Sequence, residues 1–407
     1  MSPTVDCRCL NGLRKAQKVP ERHHFLRESS VNVPDSRLDL VELVESLAWR
    51  CLANLVGCGT MSIKVLDLFC GGGGSSWGAQ AAGAEIVCGV DGWERAVEAY
   101  GRNFPGAKAV HLTMTPDTHP DELGDIGPID LLLSSPECTH HTCARGNRPR
   151  SEESKRTAYY VTNFARQLHP RPRWVVVENV VNMRGWQGYD PLLDELRDLG
   201  YNVRVMVLNA AHFGVPQTRR RVFIVGDLLR IPRDDIPRMA GISRSAKGIL
   251  APVGTYSTRP LETPKRAKAT LARAQRAIDE IGPGKPFLIV YYGSDGSGGW
   301  QPLERPLRTI TTLDRFGLVT WNGSTPMLRM LQVDELMRAM GFDEGYSLDG
   351  VGQRRDRIKL LGNGVSPPVM KAVVQQLTAD DLNLCPIPDA FHEAQIKPRK
   401  TLPIAAE

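Results

Sequence analysis

The sequence predicts an α/β fold: a doubly wound, mostly parallel sheet with an antiparallel hairpin at one edge, joined to a smaller second domain. Between residues 63 and 227, short apolar runs alternate with helical patterns, which is typical of buried parallel strands joined by crossover helices. The last two runs are separated by about a dozen residues, too few for a crossover helix. Residues 228–300 break this rhythm and are rich in Pro, Arg, Lys and Gly.

The individual elements follow from the same periodicities. The apolar runs that predict strands are IKVLDLF, EIVCGVD, KAVHL, IDLLLSS, RWVVVEN, NVRVMVLNA and RVFIVGD. Helical patterns are expected up to Ala82, at 93–103, at about 157–168 and near 190–199. A further helix is expected at 267–281, and periodic α/β character returns at 329–342 and 367–378. We expect five segments: an extension over 1–61 with an amphipathic helix at 39–55, the sheet domain over 62–227, the second domain over 228–325 with its core at 228–300, a return to the sheet domain over 326–383, and a tail over 384–407.

Composition excludes several classes of protein. The 407 residues are 42% hydrophobic and 24% charged, with a net charge of +6, which is compatible with nucleic-acid binding but does not establish it. No apolar run reaches the ~20 residues that span a bilayer, and the N-terminus lacks the core of a signal peptide. We therefore expect a soluble cytoplasmic protein. Nine cysteines at irregular spacing favour neither a disulfide framework nor a metal site.

A glycine-rich turn follows the first predicted strand, in the sequence DLFCGGGGSS. Such a turn lets a ligand approach the backbone and a helix N-terminus closely. Asp91 ends the second strand, 20 residues beyond Gly71, where a carboxylate can bind ribose hydroxyls. Together they predict an adenosine-containing cofactor without identifying it.

Three further motifs lie at strand ends that a doubly wound sheet brings to one rim. Cys138 follows the fourth strand in Pro136-Glu137-Cys138 and is a candidate nucleophile. Glu178 ends the fifth strand in Glu-Asn-Val, where burial would favour its protonated form. Arg219 and Arg221 alternate at the start of the last strand, in Gln-Thr-Arg-Arg-Arg, where they can share one face.

In this order, the motifs resemble those of the C5-cytosine-specific DNA methyltransferases of bacteria and phages. Downstream, residues 329–342 resemble the stretch before the family's final motif, and Gly362-Asn363-Gly364 resembles that motif itself. The resemblance covers residues 63–378 except 228–300. It implies a Rossmann-like methyltransferase sheet and makes 228–325 the DNA-recognition domain.

The resemblance also implies roles for particular residues. Cys138 would add to C6 of cytosine, Glu178 would hold N3 and the exocyclic amine, and Arg219 and Arg221 would steady a flipped-out base. The implied cofactor is S-adenosyl-L-methionine, bound by residues of the first two strands and the final motif: Asp67, Phe69, Gly71, Gly73, Asp91 and Asn363. The implied partner is double-stranded DNA. We expect a monomer that does not associate with a membrane and that acts in a restriction–modification system or a phage. The extension 1–61 is a candidate segment for an unknown partner.

Some positions depart from the family's pattern. Glu137 stands where the family has proline, Thr139-His140-His141 replaces its usual run, and His111 stands near its third-strand aspartate. These departures leave open an enzyme with an altered cosubstrate or a modified pyrimidine, and an inactive nucleic-acid-binding relative. An RNA cytosine methyltransferase of similar fold is a further alternative, although the insert at 228–300 fits duplex DNA better. An NAD(P) oxidoreductase would explain the glycine turn and Asp91 but not the Pro-Glu-Cys, Glu-Asn-Val and Gln-Thr-Arg-Arg-Arg motifs.

Overall fold

The structure is a computed structural model that describes residues 62–136, 155–238, 244–292 and 298–379. The extension, the tail, the predicted helix at 39–55 and Cys138 lie outside the described residues. Within these ranges, no helix combines the length and the apolar character needed to cross a membrane.

A seven-stranded sheet forms the first layer of the fold. Its strands are β1 (Lys64–Leu68), β2 (Glu85–Asp91), β3 (Lys108–His111), β4 (Leu131–Ser134), β5 (Trp174–Val180), β6 (Asn202–Asn209) and β7 (Arg220–Asp227). The spatial order is β3-β2-β1-β4-β5-β7-β6. The first five strands pair in parallel, and β7 is antiparallel to both β5 and β6. The predicted mostly parallel sheet with an antiparallel edge hairpin is therefore confirmed.

Helices pack on both faces of this sheet. The helices of the described chain are α1 (Gly74–Ala81), α2 (Glu94–Asn103), α3 (Tyr160–Gln167), α4 (Tyr189–Asp198), α5 (Lys268–Ile281), α6 (Val333–Met340), α7 (Arg354–Asn363) and α8 (Pro367–Thr378). Strand residues alternate between two cores, because successive side chains of a strand point to opposite faces. Val65 and Leu131 belong to the core with α1, α2 and α8, whereas Leu66 and Leu132 belong to the core with α3 and α4.

A second, antiparallel sheet lies between the last strand of the first sheet and α6 in the sequence. It contains β8 (Arg259–Pro260), β9 (Phe287–Val290), β10 (Trp300–Pro302), β11 (Phe316–Asn322) and β12 (Thr325–Met330), in the order β10-β9-β11-β12-β8. Phe287 and Ile289 pack with α5, while Leu288 and Val290 belong to a core that includes α6 and α7. The sequence predicted α5 here but not these short strands, nor α7.

Candidate active site

The carboxyl ends of the parallel strands form one rim of the first sheet. Because β7 runs antiparallel to β5, its first residues lie at the same rim, and Arg221 is paired with Val180. The topology therefore brings the ends of β1, β2, β4 and β5 together with the start of β7. Open α/β sheets bind their ligands in the crevice outside this edge.

The glycine-rich turn adopts a backbone that few side chains allow. Gly71 and Gly73 have φ of +54° and +88°, and Phe69 is the one non-glycine residue of the described chain with positive φ, at +56°. A Cβ on Gly73 would lie 2.4 Å from the Phe104 ring, whereas no atom lies within 4 Å of a Cβ built on Gly71. The turn is thus closely packed against Phe104 at Gly73 and is open at Gly71.

Asp91 fixes this turn from the neighbouring strand. One carboxylate oxygen accepts the Gly71 N–H at 2.9 Å, and the other accepts the Trp93 N–H at 2.8 Å. Burial raises the pKa of Asp91, while these N–H groups and the charge of Lys359 oppose the shift. The Lys359 ammonium lies 4.0 Å from the centre of the Trp93 ring. His111, at the end of β3, is exposed, with its Nε2 3.2 Å from the carbonyl oxygen of Gly92.

Asp67 lies beneath the turn rather than on its surface. Its side chain is fully buried, and one carboxylate oxygen accepts the Ser76 hydroxyl at 2.7 Å; that hydroxyl also lies 2.8 Å from the Tyr100 hydroxyl. The other oxygen, Oδ1, has no hydrogen-bond partner among the described residues. Burial raises the pKa of Asp67 to about 7. Asp67 is therefore placed to support the turn from the interior of the protein rather than to touch a ligand directly.

Tyr346 contacts the same turn from the C-terminal part of the chain. It is buried, and its hydroxyl donates to the Gly72 carbonyl at 2.7 Å. Its ring stacks on Phe342 with the ring centres 3.9 Å apart and meets Trp77 edge to face. Sequence reasoning missed Tyr346, because 274 positions separate it from Gly72 and no motif marks it.

The chain is anchored immediately before the predicted nucleophile. The Ser135 N–H donates to the Leu68 carbonyl, which holds the end of β4 beside β1. The Asn179 amide donates to the Pro136 carbonyl at 3.1 Å, so the Glu-Asn-Val motif contacts the start of the Pro-Glu-Cys motif. Pro136 is the last described residue before Cys138.

Glu178 and Arg221 form an ion pair at this rim. Arg221 Nε lies 3.1 Å from Glu178 Oε1, and the glutamate is only 4% exposed. Burial is the largest influence on Glu178 and raises its pKa, while the charges of Arg221 and Arg219 oppose that shift. A carboxyl group that is easily protonated is therefore held beside a permanent cation.

Arg219 is placed differently from its neighbour Arg221. Its guanidinium is buried and donates to three backbone carbonyls: Nη1 to Ile310 at 3.1 Å, and Nη2 to Gly362 at 2.9 Å and Gly364 at 2.7 Å. Asn363, between the last two, ends α7 and is exposed. The structure thus brings Arg219 to the final motif, whereas the sequence suggested that both arginines meet the base.

Gln217 precedes this pair and is also buried. Its amide nitrogen donates to the Ala339 carbonyl at 3.0 Å, and its amide oxygen accepts the Ile310 N–H at 2.9 Å.

Among the described residues, no cluster of three or more His, Cys, Asp or Glu side chains could hold a metal ion.

The fold and this rim are those of a Rossmann-like α/β protein in which an open glycine-rich turn and a buried acid–arginine pair share one edge of the sheet. Residues 63–379 match the family model described as C-5 cytosine-specific DNA methylase, so the chain belongs to that family. It is a DNA (cytosine-5-)-methyltransferase, which confirms the resemblance seen in the sequence.

Individual relatives agree with this assignment. The chain is 29% identical to the type II methyltransferase M.HgiDI of Herpetosiphon aurantiacus over 267 residues, which cover 61% of this chain and 80% of the relative. It is 31% identical to M.HindV of Haemophilus influenzae over 166 residues, 41% of this chain and 53% of that protein. The methyltransferase EhMeth of Entamoeba histolytica shares the fold, with a TM-score of 0.57 at 15% identity over 79% of this chain and 99% of that one.

Proposed function

We propose that the protein transfers a methyl group from S-adenosyl-L-methionine to C5 of a cytosine flipped out of duplex DNA, through a covalent bond between Cys138 and C6. The observation that carries this proposal is the buried Glu178–Arg221 ion pair. On the strand of Glu178, the next residue, Asn179, donates to the carbonyl of Pro136, two residues before Cys138. These groups stand at the rim that also carries the glycine-rich turn.

The residues at the turn fit an adenosine-containing cofactor. Gly71 leaves open space where a Cβ would stand, and each oxygen of Asp91 accepts one N–H and retains a lone pair for a ribose hydroxyl. Phe69 offers a half-buried ring at the same turn, and Asn363 offers an exposed amide. When bound, S-adenosyl-L-methionine supplies an electrophilic methyl group.

Cysteine and glutamate divide the activation of the base between them. The Cys138 thiolate forms a bond to C6, which moves electron density through the ring onto C5 and N3. Glu178 donates its proton to N3, so the adduct does not carry a full negative charge. After C5 has gained the methyl group, a base takes the C5 proton, the C6–S bond breaks to release the Cys138 thiolate, and the N3 proton returns to Glu178, which restores the aromatic ring and the enzyme.

Arg221 keeps the glutamate in place during this cycle. Its positive charge stabilises the Glu178 carboxylate once the proton has moved to N3, and its Nε contact orients the carboxyl group beforehand. Because C6 lies within the stack of a duplex, the cytosine must leave the helix to meet Cys138. Residues 228–325, which include most of the second sheet, read the DNA sequence in this proposal.

Two cysteine variants test the proposal. Cys138→Ser abolishes methyl transfer and leaves the Kd of S-adenosyl-L-methionine within about twofold, because the thiol acts on the base. Cys143→Ser, the matched control in the same stretch, keeps most of the activity. A duplex with 5-fluorocytosine at the target site forms a covalent complex with the native protein, since fluorine cannot leave as a proton. Equal losses in the two variants, or no complex, would contradict the assignment of Cys138.

A further inference from the structure

We propose that Arg219 is a positioning residue for the cofactor segment around Asn363 and does not contact the target base. This inference rests on the proposed function, in which Asn363 meets the cofactor. Arg219 and Arg221 stand two positions apart at the start of β7, and the inference gives them different roles. Arg221 orients a residue of the base site, whereas Arg219 positions a segment of the cofactor site.

The contacts of Arg219 fix both sides of Asn363. Arg219 is only 2% exposed, and its Nη2 donates to the carbonyls of Gly362 and Gly364. The last carbonyls of a helix lack partners within the helix and carry partial negative charge. Arg219 supplies both the hydrogen bonds and the positive charge at the end of α7. The exposed Asn363 is therefore held between two fixed peptide groups.

The third contact of Arg219 joins this segment to the connection between β10 and β11. Its Nη1 donates to Ile310, in the same connection where a Cβ on Gly362 would lie 2.4 Å from the backbone of Thr311. Such a close approach leaves no room for independent movement of the two backbones. The position of Asn363 thus depends on the buried guanidinium between them.

Gln217 provides a matched control. It is fully buried, stands on the same strand entry, and binds Ile310 and Ala339, but its hydrogen bonds do not include Gly362 or Gly364. Loss of Gln217 should therefore weaken the packing of the same connection without releasing the segment around Asn363. This difference separates positioning of the cofactor segment from general stability.

The test measures the Kd of S-adenosylhomocysteine by calorimetry in the full-length protein, together with the urea midpoint of unfolding. Arg219→Met retains much of the side-chain volume and removes every donor, so we expect Kd to rise about tenfold or more, as for loss of charged hydrogen bonds. Arg219→Lys, with one ammonium in place of the planar fork, should give a smaller increase. Gln217→Leu should lower the urea midpoint and leave Kd within about twofold of the native value.

A second measurement keeps the inference testable if Arg219→Met does not fold. Arg219→Lys is compared in the native and Asn363→Ala backgrounds; if Arg219 acts through Asn363, the lysine variant has little further effect on Kd when the Asn363 amide is absent. Additive effects of the two changes, an unchanged Kd in both Arg219 variants, or an equal rise in Gln217→Leu would overturn the inference. A native protein that does not bind S-adenosylhomocysteine would instead overturn the proposed function.

Discussion

Replacement of Asp67 by asparagine should change how the stability of the protein depends on pH. Asp67 is buried beneath the glycine-rich turn, and burial raises its pKa from the usual 3.8 to about 7. Between these values, the unfolded chain loses the proton while the folded protein keeps it. The free energy of unfolding therefore falls as pH rises through this window, by up to about 1.4 kcal/mol per pH unit.

The magnitude follows from these two pKa values. Proton linkage between pH 5 and pH 8 lowers the free energy of unfolding by about 2–3 kcal/mol for this one group. The asparagine amide of the variant does not titrate in this range, so this contribution disappears. The stability of Asp67→Asn, relative to that of the native protein, should therefore increase by about 2–3 kcal/mol from pH 5 to pH 8.

Urea denaturation at the two pH values, followed by tryptophan fluorescence, measures this difference. Ser76→Ala serves as a directional control, because the Ser76 hydroxyl donates to the Asp67 carboxylate and favours its charged form. Without that hydroxyl the pKa of Asp67 should rise further, so the stability should depend on pH more steeply than in the native protein. If the pH dependence of Asp67→Asn runs parallel to that of the native protein, Asp67 does not titrate as this reasoning requires.

Three further changes probe the same rim. Gly74→Ala would place a Cβ 2.2 Å from the Val365 carbonyl oxygen, so it should destabilise the protein by about 1–3 kcal/mol in urea denaturation. Gly106→Ala is its control: no atom lies within 4 Å of the new Cβ, so the stability should change by at most about 0.5 kcal/mol. Tyr346→Phe removes the hydrogen bond to Gly72 and should cost about 1 kcal/mol, whereas Tyr189→Phe should cost less, because that buried hydroxyl has no hydrogen-bond partner in the described chain. Glu178→Gln should lower the single-turnover rate of methyl transfer about 100-fold or more, since the amide has no acidic proton to give to N3. Burial raises the pKa of Glu178, so the native rate should fall as pH rises through that pKa and the proton is lost, and this limb should be absent from the variant.

Local periodicity was sufficient to predict the first sheet. Its central strands are short apolar runs buried on both faces, and helices α2, α3 and α4 have clear apolar stripes. In the second sheet, β8 and β10 contain only two and three residues, too few to show a period, and β8 is defined by its pairing with the distant β12. Helix α7 begins with the charged run Arg-Arg-Asp-Arg, which carries no apolar stripe.

The site shows the same division between local and distant signals. The motifs correctly indicated which strand ends carry polar side chains, because strand order follows from topology rules. Contacts made across the chain were beyond reach of the sequence. Asp67 and Asp91 both follow apolar runs, yet one carboxylate is buried under the turn and the other binds its backbone. Which of the two meets a ligand depends on the face of the strand and on what packs there.

The return of the C-terminal segment to the first sheet completes the rim around the glycine-rich turn. Tyr346 binds the carbonyl of Gly72, and the Val365 carbonyl lies where a Cβ of Gly74 would stand. Arg219 meanwhile holds the carbonyls on either side of Asn363. The glycine-rich turn is therefore one of two walls packed against each other, and the other wall begins at Tyr346, 274 positions later in the sequence. Gly74, the first residue of α1, is needed for the close approach of the Val365 carbonyl as well as for the turn itself. A side chain at this position would separate the two walls.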